Sequence, residues 1–155
     1  MFSVPTRTQY GIRALVHLAK AELASRERAG SLAREEAAQA HGSLAAVATS
    51  AEIARAENIS PKYLEGILAQ LKAKGLVAAE RGKNGGYRLS RDPGAILMSE
   101  VVEALEGEVR PVDCVEDSGC CSQGGSCLPR RFWLGLKGAI DGYLSSKTLK
   151  DVLDA

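Results

Sequence analysis

Between Thr49 and Leu89 the chain carries helix start and stop signals spaced so closely that few folds can satisfy them. Thr49-Ser-Ala-Glu52 is a capping box, in which the hydroxyl serves the N3 amide and the carboxylate reaches back to the cap amide. It predicts a short helix with Ile53 and Ala54 facing inward. Glu57-Asn58-Ile59 reads as a turn. Ser60-Pro61 opens a second helix, with Ser as N-cap and Pro at the first position, where its missing N–H costs nothing. Leu64, Ile67, Leu68 and Leu71 recur at i, i+3, i+4 and i+7, one apolar stripe, and Gly75 ends it. Residues 76–81 read as a strand and 86–89 as its return. Between them Gly82-Lys-Asn-Gly85 is a turn, Asn84-Gly85 being a pair that tolerates positive φ.

Helix, turn, helix and basic hairpin is the layout of a winged helix–turn–helix. Residues 8 to about 23 add a helix before it, with Ile12, Leu15, Leu18 and Ala19 at helical spacing. Residues 24–48 lose that periodicity. Nine of these 25 are Ala, and Gly30 and Gly42 punctuate them, so they read as a surface insertion. A short helix over 31–40, capped by Ser31, is the alternative there. After the hairpin come a short helix over 99–107, a cysteine-bearing loop, and a long helix from about 129 to 145. Trp133, Leu136, Ile140, Tyr143 and Leu144 are apolar positions of that last helix. The predicted fold is mainly α with a small β-hairpin. Residues 1–95 form the winged helix–turn–helix, 96–127 a short helix and cysteine loop, and 128–155 a long helix and tail.

The 45% hydrophobic and 25% charged fractions are those of an ordinary globular chain. No apolar run approaches the roughly 20 residues of a membrane span. The first ten residues lack the apolar core and small-residue cleavage site of a signal peptide, so the cytosol is the expected location. No Ser/His/Asp set, phosphate loop or nucleotide fingerprint is present, and there are only two histidines. An enzyme is not expected. Net charge is +1, but it is unevenly laid out. Residues 60–91 hold seven basic side chains against two acidic, a balance of +5; residues 97–117 hold seven acidic against one basic, a balance of −6. Such asymmetry suggests a polyanion-binding face and a separate part held away from it.

The second capped helix suits the reading of a DNA groove. Its 15 residues from Ser60 to Lys74 span about 22 Å, enough to cross a major groove. Opposite the leucine stripe lie Lys62 and the small Gly66, Ala69 and Ala73, which allow close backbone approach. The first amides, near Ser60 and Lys62, offer a phosphate site at the positive end of the helix dipole. Glu65 can accept from a cytosine amino group. Arg81, Lys83 and Arg88 on the hairpin can follow the backbone or enter the minor groove.

All four cysteines, Cys114, Cys120, Cys121 and Cys127, fall within fourteen residues of a Gly/Ser-rich loop. Thiols bunched there are poorly placed for core packing and well placed for a soft metal. A zinc site or a thiol–disulfide switch are the alternatives, although tight C-x-x-C pairs are missing.

Several segments together resemble the IscR/NsrR type of winged-helix repressor: Thr8-Gln-Tyr-Gly-Ile-Arg-Ala-Leu15, Ile59-Ser-Pro-Lys-Tyr-Leu-Glu65, Leu71-Lys-Ala-Lys-Gly-Leu-Val77, Arg81-Gly-Lys-Asn-Gly-Gly-Tyr-Arg-Leu89, Val101-Val-Glu-Ala-Leu-Glu-Gly107, the cysteine loop and the Thr148-Leu149 ending. The resemblance covers nearly everything except residues 24–48. It implies a homodimer whose long C-terminal helices cross, each subunit presenting a recognition helix to half of a palindromic double-stranded DNA operator. It implies contacts from Tyr63 and Glu65 and a minor-groove probe at Arg81. It also implies a 2Fe–2S or 4Fe–4S cluster on three cysteines at similar spacings. Those are Cys114, Cys127 and, from the vicinal pair, Cys121 in preference to Cys120. Relatives take a fourth ligand at positions that here are Gln9, Arg13 and Arg130, none a good ligand. That leaves Cys120, Asp113, Glu116 or a small molecule.

The sequence therefore points to a dimeric, iron–sulfur-controlled transcriptional repressor. A cluster-free regulator controlled by thiol oxidation or a protein partner is the runner-up. A small redox or metal-carrying protein is the reading from another class.

Overall fold

The structure, a computed structural model, describes residues 3–32, 47–82, 85–120 and 126–155. Six helices and one hairpin follow in order: α1 (Thr6–Leu32), α2 (Ser50–Glu57), α3 (Pro61–Ala73), β1 (Val77–Glu80), β2 (Gly86–Leu89), α4 (Met98–Glu106), α5 (Leu128–Ser146) and α6 (Leu149–Leu153). Short 3₁₀ turns at Pro93–Ala95, Asp113–Val115 and Ser118–Cys120 join them. This is the mainly helical winged helix–turn–helix, with a long C-terminal helix, that the sequence predicts.

The local signals act as read. Thr49 accepts from the Glu52 amide at 3.2 Å while Glu52 accepts from the Thr49 amide at 2.7 Å. α2 ends at Asn58, which takes the left-handed conformation at φ 53°, one of the few residues that tolerate it. Ser60 caps α3 through the Tyr63 amide at 3.2 Å. Leu64, Ile67, Leu68 and Leu71 are all buried. They meet Leu15, Leu18 and Ala19 of α1, Ile53 of α2, Val101 and Leu105 of α4, and the wing's Val77 and Leu89 in one core. At Gly11 α1 and α4 pack closely, since a β-carbon there would strike Leu105.

Three features depart from the sequence reading. α1 does not stop near residue 23 but runs on to Leu32, tied by Arg26 to Asp92 at 3.2 Å. Ala48 is no part of a loose insertion: it pairs with Tyr87 through backbone bonds of 2.9 and 2.8 Å, a single-residue bridge added to the other edge of β2. Gly86 permits this, because a β-carbon there would lie 2.7 Å from the Ala48 carbonyl oxygen. Residues 33–46, with most of the alternative 31–40 helix, lie outside the described residues. The third departure is α6. It follows a capping box of its own, Thr148 with Asp151, and Leu149 is fully buried in the winged-helix core. Thr148 also pairs with Leu97, through Leu149 amide to Ile96 carbonyl at 2.8 Å and Met98 amide to Lys147 carbonyl at 2.9 Å. α5 therefore leaves the winged helix and returns to it.

One polar latch fastens α1 to α4. Glu106, the last residue of α4, accepts from Arg7 Nε and Nη2 at 3.3 and 3.2 Å and from the buried Thr8 hydroxyl at 2.8 Å. Burial pushes the Glu106 carboxyl up, but the hydrogen bonds from Arg7 and Thr8 and the Arg7 charge outweigh it and hold the carboxyl below its usual 4.5. A group depressed on folding stabilises the fold above its unfolded-state value, and that stability is lost as pH falls through the folded-state value. Glu106→Gln should therefore cost stability at pH 7 and cost progressively less as pH falls below 4.5, as urea titrations at several pH values would read. Leu149→Ala should destabilise by about 2–4 kcal/mol, with loss of α6 helicity; a change under about 0.5 kcal/mol would mean that the C-terminal clasp does not hold.

Candidate nucleic-acid interface and cysteine loop

Burying the leucine stripe leaves the other side of α3 in solvent. Lys62, Tyr63, Glu65, Gly66 and Ala69 are exposed there, and a β-carbon at Gly66 would meet nothing within 4 Å. Tyr63, 42% exposed, is steadied by α1. Its ring stands edge-on to Tyr10 with centroids 6.1 Å apart, and the Arg13 guanidinium lies 5.8 Å from the Tyr10 ring centre. The start of α3 faces a concavity of about 510 Å³ lined by Ala51, Arg55, Asn58, Ser60 and Pro61, among others. Arg55 thus stands beside the helix amides that suit a phosphate. Neither Arg13 nor Arg55 was singled out for this face from sequence. Their relevance comes from the α1–α3 and α2–α3 packing, which no local motif reports.

The basic excess is smaller in space than along the chain. Arg88 pairs with Glu80 across the hairpin at 2.6 Å and donates to the Leu89 carbonyl at 3.1 Å. Arg91 pairs with Glu100 at 2.7 Å and Lys74 lies 3.9 Å from Glu103. Lys62, Lys72 and Arg81 are exposed with no ion-pair partner among the described residues. Lys83 and Asn84 lie outside them. Exposed pairs are worth only about 0–1 kcal/mol, so a phosphate could compete for Arg88 at small cost. Arg81 needs no such exchange, and it stands where β1 ends.

The cysteine loop leaves α4 at Gly107, whose φ is +80°. Cys114 sits in the 3₁₀ turn Asp113–Val115, Cys120 ends the turn Ser118–Cys120, and Cys127 is the N-cap residue of α5. Cys114 and Cys127 are half-buried, Cys120 is exposed, and none of the three is in a disulfide. Cys121 lies outside the described residues. Free thiols at both ends of one loop suit a soft metal in kind. Among the described residues, however, no three His, Cys, Asp or Glu side chains gather into a metal-binding group.

Charges around the loop answer one another. Arg110 pairs with Glu116 at 2.8 Å, and Lys137 of α5 reaches Glu108 at 3.3 Å and Asp141 at 2.7 Å. A hydrogen bond between Glu116 and Glu108 pushes the Glu116 carboxyl up and the Glu108 carboxyl down. The three positions where relatives carry a fourth ligand are occupied with other work. Gln9 donates to the Val4 carbonyl at 2.7 Å, Arg13 lies over Tyr10, and Arg130 donates to the carbonyls of Cys114 and Val115 at 2.6 and 3.3 Å.

Comparison with known proteins agrees with this geometry. Residues 38–155 match the family model Rrf2, described as an iron-dependent transcriptional regulator. The HTH-type transcriptional regulator IscR of Cronobacter sakazakii is 36% identical over 104 residues, 67% of this chain and 64% of that protein. The chain thus spans somewhat less than two thirds of the length of this curated relative. Among solved structures, CymR (YrzC), the global cysteine regulator of B. subtilis, superposes with a TM-score of 0.72 at 27% identity, covering 99% of this chain and 98% of that one. T. potens IscR gives 0.69 at 25% identity, over 99% and 87%. These relatives are transcriptional regulators and not enzymes, and no helix among the described residues is long and apolar enough to cross a membrane. On the match over 38–155 and the winged helix that carries it, the chain belongs to the Rrf2 family of transcriptional regulators.

Proposed function

We propose that the protein is a cytosolic, dimeric, DNA-binding transcriptional repressor whose operator affinity follows the state of an iron–sulfur cluster at the cysteine loop. The observation that carries the DNA part is the exposed face of α3, with Tyr63 braced by Tyr10, together with an uncommitted Arg81 at the end of β1. Lys62, Tyr63 and Glu65 would meet base edges and phosphates in the major groove, and Ser60 would keep the helix start in shape for a phosphate. Arg81 would enter the minor groove, with Lys83 and Arg88 along the backbone.

Dimerisation rests on α5. No residue of α5 is fully buried, and Leu128, Phe132 and Tyr143 stand 76%, 67% and 65% exposed. An apolar helix left so open in one subunit is the expected face for a second copy. Two recognition helices brought together in this way would read the halves of a palindromic operator.

Cys114, Cys127 and Cys121, with Cys120 as the alternative, would hold the cluster as thiolates. Bound there, it would supply a soft centre whose oxidation or loss changes the charge the loop must carry. The chain's own residues give that change a way to α3. Glu106 ends α4 where the loop begins and grips the start of α1. One turn along α1, Tyr10 packs on Tyr63. A shift of the loop would alter how Tyr63 is presented, a coupling between two sites.

The similarity to CymR, the global cysteine regulator of B. subtilis, favours a second reading, in which the thiols act without a cluster. Anaerobic reconstitution of the full chain with iron and sulfide, followed by spectroscopy and operator binding of both forms, separates the two. Visible absorption with a changed affinity is expected; a colourless product would favour the thiol reading. Arg81→Ala should weaken operator binding, lower the slope of log affinity against log salt by about one, and leave iron content unchanged. An unaltered slope would remove Arg81 from the interface.

A further inference from the structure

Arg130 takes part in both ends of the cysteine loop. It is the third residue of α5, and its backbone amide donates to the Cys127 carbonyl at 3.3 Å. Its guanidinium reaches back across the loop, Nε to the Cys114 carbonyl at 2.6 Å and Nη2 to the Val115 carbonyl at 3.3 Å. One residue thereby ties the backbone of the first cysteine to that of the last. The loop itself cannot do this. Twelve residues separate Cys114 from Cys127, and a chain of that length with several glycines loses considerable entropy when its ends are brought together. The charge matters as well. A guanidinium stays protonated at any physiological pH, so a cation is fixed where thiolates must gather if they are to bind a metal.

We propose that Arg130 is a positioning residue for soft-metal binding by this loop, pre-organising Cys114 and Cys127 where relatives place a side-chain ligand. The inference rests on the cysteine site of the proposed function and adds to it a residue that ligates nothing. Lysine cannot replace it fully. An ammonium keeps the charge but lacks the planar fork that serves two carbonyls together.

The test uses the reduced, metal-free full chain and Cd²⁺ as the probe, followed by its thiolate charge-transfer absorption. Arg130→Met should weaken Cd²⁺ binding by about 10- to 100-fold, the range seen when a residue orienting a metal ligand is lost. Arg130→Lys should fall between it and the parent, and far-UV circular dichroism should be unchanged in both. The effect should run through Cys114. In a Cys114→Ser background, Arg130→Met should change the remaining affinity less than about threefold, the coupling expected of residues that act together. Unaltered Cd²⁺ affinity in Arg130→Met, or an equal loss with and without Cys114, would overturn the proposal. If Arg130→Met fails to fold, Arg130→Lys carries the same comparison. A parent chain whose Cd²⁺ affinity depends on Arg130 but which never takes up iron and sulfide would leave this inference standing and remove the cluster.

Discussion

The burial of one stripe on α3 decides what the rest of the molecule can be. Four aliphatic side chains, each worth about 1.5–3 kcal/mol on leaving water, fix the rotation of that helix about its own axis. α1, α2, α4 and the hairpin close on the stripe from different directions. Once the rotation is set, Lys62, Tyr63, Glu65 and Gly66 have no freedom to face anywhere but out. The solvent-facing side of the helix is thus a by-product of its packing. It would survive many surface changes and would not survive a turn of the stripe.

The second constraint is polar. Few buried polar groups lie in the described core, and Thr8 is spent on Glu106. Placed at the close approach of α1 and α4, this contact gives the two helices a register that hydrophobic packing alone leaves soft. The same residues lie between the cysteine loop and Tyr63. Stability and the coupling proposed above therefore draw on the same few groups.

The elements whose cause is local were legible in the sequence. Thr49 with Glu52, Ser60 with Pro61 and the leucine stripe announce α2 and α3, because caps and periodicity are short-range physics. The same short-range signal stands before α6, in Thr148 and Asp151. The extension of α1 was hidden because an Ala-rich, evenly charged stretch has good helix propensity but no apolar stripe to show its direction. Ala48 joins the wing only through backbone atoms, which carry no sequence signal. The exposure of Arg81 and of the α3 face could be read from charge and spacing. That Arg88 spends its charge on Glu80, and that Arg130 clasps two distant carbonyls, follows from tertiary neighbours alone. At Arg130 the departure from relatives could be seen, whereas what the residue does instead could not.

The backbone pairing of Leu97 with Thr148 has a mechanical consequence. It makes residues 97–148 a closed circuit soldered at its base to the winged helix, with α4, the cysteine loop and α5 as successive arcs. A circuit of this kind does not peel away one arc at a time. The return end of α5 is held at that base by the backbone bonds of Lys147 and Leu149. The long helix is in this sense the far side of a hoop and not a free tail.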